Sequence, residues 1–271
     1  MNNIIKICFV IIVSNITLGV SAQGSNAGKI TFKCFFPNKK QTNLSSNQEM
    51  FFNSSESIQL SSKNNSKLDV NKEDDNSLTL KLPYGDSLGR QIYRSIKEKI
   101  VITRRPKNAI SEAFIVKENW IEINWKIESK TKKIGNYTAT MAKGSFRGRD
   151  YTAWFTYDIP APFGPWKLHG LPGLILEAED SEKMMRFYAT EVIIPFETNE
   201  IIKVPTAENE ITHKEEIYLQ DNFDKILAKK MNARLPKGSS LTPTPNDDGR
   251  KYREEKTFEW EIETIDENKK D

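Results

Sequence analysis

The chain is poor in the residues from which most reactive sites are built. It has two cysteines and two histidines in 271 residues. Cys8 falls in the N-terminal apolar run, so Cys34 alone remains once that run is set aside. One thiol excludes an internal disulfide framework, and Cys34 reads as a small buried apolar group. His169 and His213 stand far apart, in no HxH or HExxH spacing, so no metal centre is expected. There is no Gly-x-Ser-x-Gly elbow, phosphate-binding loop or dinucleotide fingerprint, and no cofactor is expected. Charge of one sign is not in excess either: 40 Lys and Arg face 37 Asp and Glu, a net charge of +3. A dedicated nucleic-acid binder would show a marked basic surplus, so no nucleic-acid partner is expected.

Long hydrophobic runs are equally scarce, which makes the one at the N-terminus informative. Lys6 precedes Ile7-Cys8-Phe9-Val10-Ile11-Ile12-Val13, and residues 16–20 resume the run after Ser14 and Asn15. The stretch is too short and too broken to span a bilayer. Val20-Ser21-Ala22 fits the small-residue rule of signal peptidase, with Gln23 as the new terminus. Residues 1–22 therefore read as a secretory signal, and the mature chain as exported and free of a transmembrane span. What remains suits one larger domain, 23–236, followed by a charged, proline-containing extension, 237–271.

What the chain does have is alternation. Ile30, Phe32, Cys34 and Phe36 alternate with more polar neighbours, as do Leu78, Leu80 and Leu82, and again Ile121, Ile123, Trp125 and Ile127. A period of two marks strands with one face in a core. Further strands are expected near 50–52, 57–60, 90–96, 100–103, 113–116, 137–141, 151–157, 174–179 and 185–194. Short connections such as Asp180-Ser181-Glu182-Lys183 favour antiparallel neighbours. No strand–helix–strand rhythm interrupts them. The expected fold is mainly β: a large, curved, antiparallel sheet resembling half a barrel, with one C-terminal amphipathic helix.

That helix is announced by Thr212-His213-Lys214-Glu215, which has the spacing of a capping box. Leu219, Phe223, Leu227 and Met231 then recur every fourth residue, and Pro236 and Gly238 end the pattern. Residues 61–77 and 238–255 read as loop and linker. Phe258, Trp260 and Ile262 alternate once more, as a late strand or an amphipathic tail.

Gly164-Pro165-Trp166 and Gly170-Leu171-Pro172-Gly173-Leu174-Ile175 form the most distinctive segment. Pro172 followed by Gly173 predicts a type II turn, with Gly173 at positive φ, feeding an apolar strand. Trp154 falls on the face opposite Tyr151, Ala153 and Phe155. That strand is then either covered on both sides or open to a pocket that the Trp166 loop closes. Candidate ligand-binding residues are thus Trp154, Trp166, His169, Leu171 and Pro172. Arg147 and Arg149 join them, as guanidinium forks able to grip a carboxylate or phosphate. The alternative for the arginines is pairing with Asp150, Asp158 or Glu177 across a hairpin. No catalytic residue is assigned, although His169 near Asp158 or the Glu177–Glu179–Asp180 patch would be able to act as a base.

The stretch from Trp125 to Leu176 resembles the GLPGLI family, named for its hexapeptide. The residues that carry the resemblance are Lys133-Ile134-Gly135-Asn136-Tyr137, Phe146-Arg147-Gly148-Arg149, Tyr151-Thr152-Ala153-Trp154-Phe155-Thr156, Ile159-Pro160, Gly164-Pro165 and the hexapeptide itself. Where members often carry a cysteine, near Thr138 to Thr140, this chain has none, so no thiol role transfers. The resemblance implies a secreted or envelope protein of a Gram-negative bacterium, with no assigned activity. Three functions follow: a binding protein for an apolar or peptide-like ligand or an envelope partner; a hydrolase or peptide-processing accessory using His169 and nearby carboxylates; or a structural envelope protein pairing through an edge strand.

Overall fold

In a computed structural model the residues described are 27–37, 45–61, 69–72, 78–82, 84–234, 240–242 and 249–261. The segment read as a signal lies outside them. Strands β1 (Gly28–Phe35), β2 (Ser45–Phe52), β3 (Glu56–Ser61), β4 (Asp69–Lys72), β5 (Leu78–Lys81), β6 (Gln91–Ser95) and β7 (Ile100–Arg105) are followed by β8 (Phe114–Asn119), β9 (Lys126–Ile134) and β10 (Tyr137–Phe146). Then come β11 (Arg149–Thr156), β12 (Leu174–Asp180), β13 (Arg186–Ile193), β14 (Asn209–Ile211), and helices α1 (His213–Asp221) and α2 (Phe223–Asn232).

Twelve strands make one open sheet in the order β14-β8-β7-β6-β3-β2-β1-β13-β12-β11-β10-β9, and β4 pairs with β5 alone. The fold is mainly β, as the alternation implies. Its neighbours run antiparallel except for β14, which lies parallel to β8 and makes the sheet mixed. The sheet is strongly bent. β8 and β11 stand eight places apart, which in a flat sheet at about 4.8 Å per strand is nearly 40 Å. Yet Arg147, in the turn between β10 and β11, lies 2.5 Å from Glu118 of β8.

The inside of the bend is the core. Ile30, Phe32 and Cys34 of β1, Met50 and Phe52 of β2, Ala153 and Phe155 of β11 and Phe187 of β13 are fully buried there. Burial of each large side chain contributes about 1.5–3 kcal/mol. Burial also pushes the Cys34 thiol up to about 12, which makes it inert as a nucleophile. β12 buries Leu174, Ile175 and Leu176 in succession. The loop between β11 and β12 folds back over it, with the Ile175 amide donating to the Phe163 carbonyl at 3.0 Å.

Several local expectations differ. Residues 61–77, read as a loop, include the end of β3 at Ser61 and the strand β4 at Asp69–Lys72. Residues 120–125 are not a strand, although Ile121, Ile123 and Trp125 alternate; β9 starts at Lys126. Gly144 leaves room for the Trp125 ring, which packs 2.8 Å from where a Cβ would stand. The capping box at Thr212 and Glu215 forms as read, but the helix breaks at Asn222 into α1 and α2. Residues 257–261 form no strand: Phe258 and Trp260 stack at 4.8 Å around a short helical turn, with the Glu261 amide donating to the Phe258 carbonyl. Gly173 does not adopt positive φ, whereas Gly170 does, at +91°. No helix among the described residues is long and apolar enough to cross a membrane.

Candidate functional site: a buried ionic cluster under a C-terminal strap

The polar centre of the molecule holds two buried arginines, Arg94 on β6 and Arg147 in the turn between β10 and β11. Arg94 of β6 is wholly enclosed. It has no carboxylate partner. Its guanidinium donates to Ser57 Oγ at 3.0 Å and to the carbonyls of Gly164 and Leu168 at 2.7 and 3.0 Å. Burial without a counter-charge pushes it down to about 9. The distinctive 164–168 segment is therefore wrapped around a cation that reads its backbone. Trp166, inside that wrap, holds a left-handed φ of +57°, and its amide donates to Gln59 at 2.7 Å.

Arg147 sits at the tip of the β10–β11 turn with φ +45°. Its Nη1 donates to Glu118 at 2.5 Å and Glu255 at 2.6 Å, and its Nε to Glu259 at 3.1 Å. Lys167 lies 2.6 Å from Glu118 and 2.7 Å from Glu255. His213, the first residue of α1, completes the group through Glu255 at 2.8 Å. Burial opposes the charge on both glutamates, but the surrounding cations win, Lys167 foremost, and hold both carboxyls below their ordinary range. The same carboxylates raise Arg147 above its usual value against its own burial.

Residues 249–261 lie across this cluster as a strap. Arg90 holds Glu254 with two parallel bonds of 2.5 and 2.6 Å, and the Trp166 indole donates to the same carboxylate at 3.1 Å. Arg149, paired with Asp180, also donates to the strap carbonyls of Arg253 and Glu254. Gly148 has no side chain to obstruct the contact: a Cβ there would stand 2.9 Å from Lys256, at a φ of +78°.

Glu118, His213 and Glu255 bring their ligand atoms within 4.8 Å of one another, a spacing that a metal ion can use. Two fixed cations, Arg147 and Lys167, already sit among them. A divalent ion would meet their repulsion, so the donor set behaves as an ion-pair network and not as a metal centre.

Beside the strap, between the β7–β8 connection and the helices, opens a cleft of about 310 Å³. Phe36, Tyr84, Ile110, Phe114, Leu219 and Phe223 line it, with Arg105, Glu216, Arg253 and Glu254 at its polar end. Arg105 bonds Glu216 at 2.5 Å. The helical stripe read from the sequence is thus only half covered, because Leu219 and Phe223 face this opening.

Residues 146–177 match the profile of a family described as "Protein of unknown function (Porph_ging)". They run from the arginine turn through the wrapped loop to β12. None of the curated proteins matches the chain. Two structures of PNGF-II, in space groups P21 and C2, are similar at 18% and 17% identity, with TM-scores of 0.47 and 0.48. The likeness covers 71% of this chain and 32% of each of those, so the chain spans about a third of their length.

The candidate residues do not share one recess. Trp166 is buried against Phe146 and Tyr151 inside the bend, whereas Trp154 lies on the outer face under the Lys132 ammonium. Leu171 is buried and Pro172 exposed. The arginines pair with carboxylates other than the three foreseen, Asp150, Asp158 and Glu177: Arg147 meets Glu118, Glu255 and Glu259, and Arg149 meets Asp180. His169 has both ring nitrogens against carbonyls, those of Lys167 at 2.8 Å and Ile121 at 2.9 Å. Burial pushes it down to about 4 despite those two contacts, and with no carboxylate on either nitrogen it is not placed to act as a base. Sequence reasoning missed Arg94, Glu118, Lys167, Glu254 and Glu255. The one signal available was the strength of a capping box that plants His213 at the start of α1.

Proposed function

We propose that the chain is an exported GLPGLI family protein, periplasmic or extracellular in a Gram-negative bacterium, that binds an apolar or peptide-like ligand. The run at residues 1–22 supports export, and the motif residues together with the match over 146–177 support the family reading. The observation that carries binding is the cleft. Its volume of about 310 Å³ lies at the small end of ligand sites, enough for one aromatic or branched side chain. Its apolar walls supply affinity, and the Arg105–Glu216 pair at the polar end offers a donor and an acceptor to orient a peptide unit. A hydrolase is not favoured, since His169 meets no carboxylate. Pairing through an edge is not favoured either, because β9 carries Lys126, Lys130, Lys132 and Lys133, and charged edges resist strand addition.

The test is calorimetric titration of the intact protein with short peptides that each end in one large apolar side chain. Saturable binding is expected, with Leu219→Asp abolishing it while the fold, read by near-ultraviolet circular dichroism, is kept. No binding by any peptide, or equal binding by the Leu219→Asp protein, would overturn the reading.

A further inference from the structure

The surface under the strap reads both the side chains and the backbone of what lies on it. Glu254 is taken by the Arg90 fork and the Trp166 indole. Glu255, its neighbour, is taken by Arg147 at 2.6 Å and Lys167 at 2.7 Å. Arg149 reads the carbonyl of Glu254 at 3.0 Å and that of Lys251 at 3.3 Å. In return, the Lys256 amide donates to the Arg147 carbonyl at 2.9 Å. Two adjacent carboxylates are thus recognised in register, and the main chain is gripped on both sides of them. Charge-assisted and forked contacts of this kind are the strong and selective ones.

Charge complementarity accompanies these contacts. Without the strap, Arg90, Arg105, Arg147, Arg149 and Lys167 outnumber the carboxylates of Glu118, Asp180, Glu182 and Glu216 that face them. Glu254, Glu255 and Glu259 of the strap pair with Arg90, Arg105, Arg147 and Lys167. No strand pairing ties the strap to the sheet. Residues 235–248, Leu-Pro-Lys-Gly-Ser-Ser-Leu-Thr-Pro-Thr-Pro-Asn-Asp-Asp, tether it covalently to α2, and within them Leu241 is held to Asn232 of α2 by bonds of 2.7 and 2.9 Å.

We propose that this surface is a recognition site for an extended peptide segment carrying two adjacent glutamates, that the chain's own strap is its resident occupant, and that a like segment of another protein takes its place when the strap is displaced. The tether holds the strap at an effective concentration on the order of millimolar. A rival segment therefore binds weakly to the intact chain and tightly once the tether is cut. The site borders the cleft, whose polar end includes Arg105, Glu216, Arg253 and Glu254, but the anchors differ: carboxylates in the one, apolar groups in the other.

The experiment uses the full chain with a specific protease site inserted between residues 243 and 248, folded and then cleaved. The probe is a fluorescent synthetic peptide of residues 249–261. It is expected to exchange with the cut strap at low salt, to saturate at one per chain, and to bind progressively less well as salt is added. A peptide with Glu254→Gln and Glu255→Gln is expected to bind about a hundredfold more weakly. As a second arm, an uncut chain with Glu254→Gln and Glu255→Gln in its own strap is expected to bind the unaltered peptide better than the uncut native chain does. Equal binding of the two peptides overturns the proposal, because Phe258 and Trp260 would then be the anchor. So does a cut strap that leaves only when the near-ultraviolet spectrum collapses, because the segment would then be an inseparable part of the fold. Cleft binding is read on the uncut native chain with apolar peptides, and strap exchange on the cut chain with the strap peptide and its Glu254→Gln, Glu255→Gln form, so either result stands when the other fails.

Discussion

Arg147, in the turn between β10 and β11, donates to Glu118 of β8 at 2.5 Å although β8 and β11 stand eight places apart in the sheet. The bond joins distant parts of the bent sheet, and it is buried, both side chains being at most 5% exposed. Removing the guanidinium leaves Glu118 and Glu255 enclosed with Lys167 as their remaining strong cation. Breaking a buried pair in this way costs about 3–5 kcal/mol. Arg147→Ala is therefore expected to lose that much stability in urea unfolding. Arg147→Lys is expected to recover only a part, because one ammonium cannot serve three carboxylates in fork geometry. A loss below about 1 kcal/mol for Arg147→Ala would mean that the pair is no more than a surface contact.

Gly173 gives a second, sharper case. A Cβ at this position would lie 2.0 Å from the Thr156 carbonyl oxygen and 2.8 Å from its carbon. Those are backbone atoms, so no side chain can swing aside. The Leu174 amide, next in the chain, donates to Ile159 at 3.0 Å and would be dragged with any shift. Gly173→Ala is expected to fall among the severe substitutions, above about 3 kcal/mol, or to prevent folding. Pro172→Ala, at an exposed position one residue away, is expected to cost less than about 1 kcal/mol. Comparison of their unfolding midpoints checks the contrast, and similar values for the two would refute the close-approach argument.

That glycine shows how the sequence was legible and where it was not. The Pro-Gly pair announced a special backbone, but a chain read alone offers positive φ as the usual reason, and here the reason is a neighbour's carbonyl. Alternation at Ile30, Phe32 and Cys34 revealed the core because burial on one face of a strand leaves a period of two. The same period at Ile121, Ile123 and Trp125 misled, since Ile123 is buried and Trp125 half-buried without strand pairing, the Trp125 indole donating to the His169 carbonyl of a distant loop. The capping box was readable because it is complete within four residues. The ionic cluster was not. Arg147 and Glu255 lie 108 residues apart, and adjacent charges in a polar tail read as a solvated face unless their partners are known. His213 shows the same limit: its place at the start of α1 was clear, its burial against Glu255 was not.

Acid should loosen the strap, and the direction can be worked out from two groups. Burial opposes the charge on Glu254, but Arg90 and Arg105 outweigh it and hold the carboxyl at about 2, against an ordinary value of 4.5. A carboxyl depressed in the folded state contributes stability that is complete above 4.5 and is lost as pH falls toward 2; for Glu254 this is on the order of 3 kcal/mol. His169 acts in the same direction through the opposite chemistry. Held at about 4 by burial instead of 6.5, it stays neutral in the fold while the unfolded chain takes up a proton, so stability falls as pH drops from 6.5 to 4. The melting temperature is thus expected to begin falling below pH 6.5 and to fall more steeply below 4.5. Exchange of the Lys256 amide, which is bonded to the Arg147 carbonyl, is expected to report strap release in the lower window. In a Glu254→Gln chain the lower fall is expected to shrink while the upper one stays. A native melting temperature that holds constant from pH 7 down to pH 3 would show that neither group feels the field assigned to it.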